Sequence, residues 1–151
     1  KGVQKFIAYG WHLNAITTLQ GGLPIAIQSG NTNRPNVVAG QNPADGDQTL
    51  AHWFNTAAYS VVAPFTYGNA SRTIPNVSGP GIRNIDFSVF KDFVIREHYK
   101  LQFRGEAFNL FNTPFFDVPG RDVNTSSFGV VSSQLTGPGP RELQFSLRLS
   151  F

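Results

Sequence analysis

The sequence predicts an all-β chain: an antiparallel up-and-down sheet that forms a partial segment of a transmembrane β-barrel with long extracellular loops. Three observations carry this. The chain closes on a strictly alternating run that stops at Phe151. An earlier run holds one parity from Tyr9 to Gln28. The links between alternating runs are very long, very short and long.

The final strand, about 142–151, puts Leu143, Phe145, Leu147, Leu149 and Phe151 on one face, and Glu142, Gln144, Ser146, Arg148 and Ser150 on the other. A period of two gives one greasy and one polar face. A half-buried soluble sheet and a barrel wall both produce that pattern, so the rest of the chain must decide between them. The first strand, about 9–28 (YGWHLNAITTLQGGLPIAIQ), keeps its parity for about twenty residues with Ile16 the main exception. Soluble strands usually run about five or six residues. Gly21, Gly22 and Pro24 leave open a bend, a bulge or two shorter strands.

A long loop follows over about 29–83, crowded with Asn, Gly, Pro and Ser and lacking a sustained period; Trp53 and Phe54 indicate that part of it packs. Loops this long are usually functional. The second strand, about 84–95, sets Ile85, Phe87, Val89, Phe93 and Ile95 against Asn84, Asp86, Ser88 and Asp92, while Phe90 and Lys91 break the pattern. After only "REHY" comes the third strand, about 100–111, with Leu101, Phe103 and Ala107 opposed to Gln102, Arg104 and Glu106. So short a connector reads as a hairpin. A parity change near Phe108 and Leu110 fits a bulge or a passage out of an apolar band. The second long loop, about 112–141, holds a short extended piece at Phe128 to Val131.

In an up-and-down sheet alternate links lie at opposite ends. Both long loops therefore share one end and the tight turn takes the other, as in transmembrane barrels with short periplasmic turns and long outer loops. Gln102, Arg104, Glu106, Gln144 and Arg148 are then the lumen-facing candidates. With the "REHY" turn on the periplasmic side, Phe151 lands at the periplasmic rim, a level where aromatic side chains belong.

Composition agrees. The 151 residues suffice for one domain, yet charged residues are only 14%, against roughly 25% in soluble domains. A net charge of +3 with scattered Lys and Arg argues against a nucleic-acid footprint. There is no Cys, and no apolar run approaches the roughly 18 residues of a membrane helix. The opening KGVQKFIAYGWH lacks an apolar signal region and an initiator Met, so the chain reads as an excerpt or a processed product.

No enzymatic constellation stands out, and neither a metal nor a cofactor is expected. His12, His52 and His98 sit on different elements without ligand spacing, and Asp45 and Asp47 of "ADGDQ" read as solvated loop acids. The G-x-S-x-G signature is absent, and "SGPG" and "TGPGP" read as turns. Arg104 with Glu106, and Glu142 with Arg148, read as structural pairs in a lumen. Loop aromatics Trp53, Phe54, Tyr59 and Tyr67, together with Phe65, Phe115 and Phe116, are ligand-contact candidates, the alternative being that they pack the loops on one another. Three sequons, at Asn69, Asn76 and Asn124, are accidental under a bacterial reading.

The run RNIDFSVFKDF…LQFRGEAFNLFNTPFF…GPGPRELQFSLRLSF resembles the C-terminal end of a TonB-dependent outer-membrane receptor, of the subgroup with a carboxypeptidase-regulatory-like N-terminal domain. GWHLNAITTLQGGLPIAI and WFNTAAY fit the same subgroup. The resemblance implies uptake of a scarce solute across the outer membrane of a Gram-negative bacterium. It also implies outer-membrane lipid, the rest of the barrel and a plug, a TonB-type energy-transducing partner and the barrel-assembly machinery as partners. The assembly signal falls by resemblance to Phe151, supported by Phe145, Leu147 and Leu149. The plug and the partner-binding box have no counterpart here, so the chain is expected to be the last part of such a receptor. The rival is a soluble secreted β-sandwich that binds carbohydrate or protein through its loops. A sandwich buries Leu143, Phe145, Leu147 and Leu149 against a second sheet; a barrel wall leaves them facing lipid.

Overall fold

The computed structural model describes residues 8–30, 33–96, 99–137 and 139–151. Its strands, in chain order, are β1 (Trp11–Gln20), β2 (Pro24–Ala26), β3 (Asn36–Val37), β4 (Tyr59–Ser60), β5 (Thr73–Ser78), β6 (Ile82–Arg96), β7 (Tyr99–Phe108) and β8 (Glu142–Ser150). They divide between two units. One comprises Lys1–Leu19, Arg83–Pro114 and Thr136–Phe151, the other Gln20–Ile82 and Phe115–Leu135.

The first unit is an all-β sheet with order β1-β6-β7-β8. β6 pairs antiparallel with β7, and β7 with β8. At 10, 10 and 9 residues, β1, β7 and β8 match the roughly 9–11 that a tilted strand needs to cross a bilayer. The register sorts side chains by parity. Phe87, Val89, Lys91 and Phe93 stand opposite Ala107, Gly105, Phe103 and Leu101, which stand opposite Leu143, Phe145, Leu147 and Leu149. The other face holds Ser88, Phe90, Asp92 and Val94, then Glu106, Arg104, Gln102 and Lys100, then Gln144, Ser146, Arg148 and Ser150. Gly105 leaves room on the apolar face for the Phe145 ring, which lies 3.4 Å from where a Cβ would stand and stacks with Phe103 at 6.2 Å between centroids. The sheet is open, with β1 and β8 at its edges.

β7 stops at Phe108 rather than continuing to 111, because Asn109 takes a positive φ of 49°. Its backbone N–H donates to Asp86 Oδ1 at 2.9 Å, and its side chain holds both Thr113 N and Thr113 O. The parity change near Phe108 is thus the end of a strand. β6 is longer than the expected 84–95, and Glu97 and His98 of its connector to β7 lie outside the described residues.

The second unit corrects two expectations. The first strand is not continuous over 9–28: β1 ends at Gln20, and β2 starts at Pro24 and pairs with β5 in a separate sheet. The 29–83 segment is not a structureless loop, since β3 pairs with β4 and β2 with β5 around a core of Ile25, Ile27, Phe54, Ala58, Tyr59, Ala70, Ile74 and Val77. Asn76, at φ 59°, hides β5 from any period-two reading. It bulges the strand, so that Ile74 and Val77, three apart, are both buried. The register confirms the irregularity, running from Pro24↔Ser78 to Ala26↔Thr73. A 3-10 turn, Thr56–Ala58, is capped by Asn55, whose side chain accepts from Ala57 N at 3.1 Å. The extended piece expected at Phe128 to Val131 is reduced to one bridge, Gly120↔Phe128. Phe128 instead meets Phe54 edge-on, 5.1 Å between centroids.

Candidate functional site

The apolar face of the sheet is built for contact, and on its edge strands β1 and β8 the apolar side chains stand open. Leu143, Phe145, Leu147 and Leu149 are 58%, 67%, 69% and 54% exposed, and Leu13 and Leu19 on β1 reach 69% and 75%. A sandwich would bury the β8 residues, so the secreted-sandwich reading fails here. Each such side chain left in water forgoes about 1.5–3 kcal/mol of burial, and a row of them is stable only in an apolar solvent. The four residues expected to carry an assembly signal lie along this stripe and its end: Phe145, Leu147 and Leu149 in β8, and Phe151 just beyond it at 92% exposure.

Aromatic rings collect at one edge of the stripe. β1 and β7 begin, and β6 and β8 end, on the side of the tight turn, which gathers Tyr9, Trp11, Phe93, Tyr99 and Phe151. Lys91 explains itself against this rim. It stands on the apolar face, but its ammonium reaches the Tyr9 carbonyl at 2.7 Å and lies 4.5 Å from the Trp11 ring and 5.4 Å from the Phe93 ring. Lys91 is only 3% exposed, so its charge is held within the greasy band by that carbonyl and the two rings.

The polar face carries the lumen candidates. Gln102, Arg104 and Glu106 of β7 face the same way as Gln144 and Arg148 of β8, with Glu106 opposite Gln144 and Gln102 opposite Arg148. Asp92 links three strands: it pairs with Lys100 at 2.9 Å, lies 3.6 Å from His12 Nε2 and accepts from Gln102 at 2.8 Å. Arg104 pairs with Glu106 along its own strand rather than across strands, and its guanidinium sits 4.6 Å over the Phe90 ring, which accounts for that apolar residue on the polar side. Glu142 and Arg148 are not partners: the register sets them opposite Phe108 and Gln102. A recess of about 80 Å³ lined by Asn14, Ile16, Asp86, Ser88, Glu106 and Phe108 has room for a few waters only.

The loop candidates separate sharply. Phe54 and Tyr59 are 6% and 7% exposed and belong to the core, where burial pushes the Tyr59 phenol up from its ordinary pKa. Trp53 packs against the same core and donates from Nε1 to Ser78 O at 2.8 Å. Phe115 is buried as well. Of the four named candidates, Phe54 and Tyr59 are spent on the core, Trp53 packs half-buried against it, and Tyr67 stands in water at 93% exposure. Phe65 is fully exposed at a positive φ of 61°. Asp45, Asp47, Thr49, His52, Asn55 and Thr56 line an open bowl of about 390 Å³, with Asp45 Oδ1 accepting from Asn42 Nδ2 at 2.8 Å. Among the described residues no three His, Asp or Glu side chains converge, and His98 lies outside them.

Sequence reasoning passed over Asp122. Its Oδ1 accepts from Gly30 N at 3.2 Å and from Asn124 N at 2.9 Å, fastening two distant segments of the loop unit. Those bonds, the one from Asn124 N foremost, hold the carboxyl below its ordinary pKa. The D-x-N spacing of an Asx turn was the available signal.

The model of a family described as outer membrane beta barrel domain aligns with residues 1–144. No curated protein and no solved structure matches. The open, antiparallel, all-β sheet with a lipid-ready stripe and the match over residues 1–144 agree: the chain belongs to the outer membrane β-barrel domain family and resides in the outer membrane of a Gram-negative bacterium.

Proposed function

We propose that the chain forms the C-terminal part of the barrel of a TonB-dependent receptor, which binds a scarce solute outside the cell and imports it with energy delivered from the inner membrane. The observation that carries this is the pairing of an uncovered apolar stripe, Leu143 to Leu149, with a hydrogen-bonded polar face from Asp92 to Arg148 on one four-stranded wall. Such a wall separates lipid from an aqueous lumen. The folded segment between β1 and β6, and the link between β7 and β8, leave the same end of the sheet, where recognition is usually built on a rigid scaffold. The resemblance of RNIDFSVFKDF and RELQFSLRLSF to the receptor family supports the finer reading. In it, the wall binds and guides and performs no catalysis. The plug fills the lumen, a TonB-type protein engages the receptor elsewhere, and Phe151 with Phe145, Leu147 and Leu149 addresses the chain to the assembly machinery.

The test uses the receptor that carries this chain, isolated in detergent and mixed with the periplasmic domain of a TonB-type protein from the same cell. Sedimentation is expected to show a one-to-one complex. A receptor that forms no complex, and passes solute equally with and without a proton-motive force, is a passive channel.

A further inference from the structure

On the polar face of the sheet, three strands bring oxygen atoms to one recess. It is the space of about 80 Å³ bounded by Asn14 of β1, Asp86 and Ser88 of β6 and Glu106 of β7, with Ile16 and Phe108 as apolar walls. Ser88 stands directly opposite Glu106, so Asp86, two residues along the same face, is the diagonal neighbour of Glu106. Diagonal positions lie about 7–8 Å apart, a gap that two carboxylate side chains can close on a single ion.

The oxygens here have spare capacity. Ser88 is 9% exposed, yet its hydroxyl has no hydrogen-bond partner among the described residues. A hydroxyl so withdrawn from water calls for a replacement partner. Asp86 accepts from Asn84 Nδ2 at 3.0 Å and from Asn109 N at 2.9 Å, both on Oδ1, which leaves Oδ2 to spare. Glu106 commits Oε1 to Arg104 and keeps Oε2. Along the same face Asn84 Oδ1 is buried and accepts from nothing among the described residues. Charge points the same way: against Arg104 stand Asp86, Glu106 and, opposite Phe108 on β8, Glu142. This half of the face is short of positive charge.

We infer that the recess is a calcium site that clamps β1, β6 and β7, with Asp86 and Glu106 as carboxylate ligands and Ser88 and Asn14 as neutral ones. Every donor is a hard oxygen, which selects a hard cation over zinc or copper. Calcium accepts irregular shells of about six to eight oxygens, whereas magnesium demands a near-ideal octahedron. A shell drawn from three strands of a twisted sheet is irregular. The recess takes one such ion, with a few waters completing its shell. Bound there, calcium ties β1 to both of the next two strands of the sheet. The inference goes beyond solute uptake and stands on the sheet alone, whatever the barrel transports.

The chain in detergent micelles is freed of metal with a chelator and titrated calorimetrically with calcium chloride. One ion per chain is expected, with a dissociation constant of about 0.1–1 mM, and the melting temperature is expected to rise as calcium is added. Asp86→Asn keeps the acceptor for Asn109 N and is expected to weaken binding about ten-fold or more; Ser88→Ala is expected to weaken it about three-fold. Arg104→Gln removes the competing cation and releases Oε1 of Glu106, so it is expected to tighten binding about three-fold, a gain that misfolding cannot produce. Asp45→Asn, in the loop unit, is expected to bind as the parent does. No binding up to about 10 mM calcium, equal affinity for magnesium, full affinity in Asp86→Asn, or a loss confined to Asp45→Asn overturns the proposal and leaves the receptor reading intact.

Discussion

The two units solve the same problem in opposite ways. The loop unit turns Ile25, Ile27, Phe54, Ile74 and Val77 inward and leaves each under a tenth exposed. The sheet turns Leu143, Phe145, Leu147 and Leu149 outward and leaves each more than half exposed. Apolar residues are plentiful in both. What differs is spacing: a period of two fixes an entire strand face in one direction, whereas bulges and turns gather irregularly spaced residues around one point. One unit carries its own core; the other borrows the membrane.

That contrast is broken most strongly by substitution on each side. Ile25→Ala, at a site 1% exposed, is expected to cost the loop unit about 2–5 kcal/mol. Leu147→Arg is expected to cost the sheet about 2–4 kcal/mol in lipid, by placing a cation on the apolar stripe. Trp53 in one unit and Trp11 in the other allow separate readouts from single-tryptophan backgrounds. Fluorescence unfolding in micelles should show each substitution moving its own unit; a Leu147→Arg variant as stable as the parent would contradict a lipid-facing stripe.

A smaller effect sharpens the contrast through pH. The Asp122 carboxyl is held below its ordinary pKa in the folded loop unit, so its contribution is present above the unfolded value and is lost as pH falls through the folded one. Acidification into that range should therefore loosen the loop unit and quench the Trp53 signal. Asp122→Asn should flatten this dependence. The smallest expected effect is Arg104→Ala, which removes a partly exposed pair with Glu106 and should cost about 0.5 kcal/mol in a denaturation series.

The sheet was legible because lipid enforces alternation on every turn of the pleat, and even the residues that break it, Phe90 and Lys91, have local partners in Arg104 and the Tyr9 carbonyl. The loop unit was not legible for the opposite reason. Positive φ at Asn76 erased the period of β5, and pairings such as Gly30 with Asp122, 92 residues apart, leave no local trace. The aromatic candidates divided along the same line. Nothing in WFNTAAY says that Phe54 and Tyr59 close a core, and nothing in PFTY says that Phe65 and Tyr67 stand clear of it.

The pairing of β2 with β5 bears on how quickly the wall can form. β6 and β7 follow one another closely enough to zip as neighbours, but β1 must find β6 across the segment from Gln20 to Ile82. Closing about sixty floppy residues costs about 2–3 kcal/mol more entropy than closing three, at roughly 0.6 kcal/mol per doubling. With Leu23 O accepting from Gly79 N at 2.8 Å and Pro24 set against Ser78, a loop unit that folds first brings its two ends together. The distant strand partner then becomes a near one in chain terms, lowering the effective contact order of the step that adds β1.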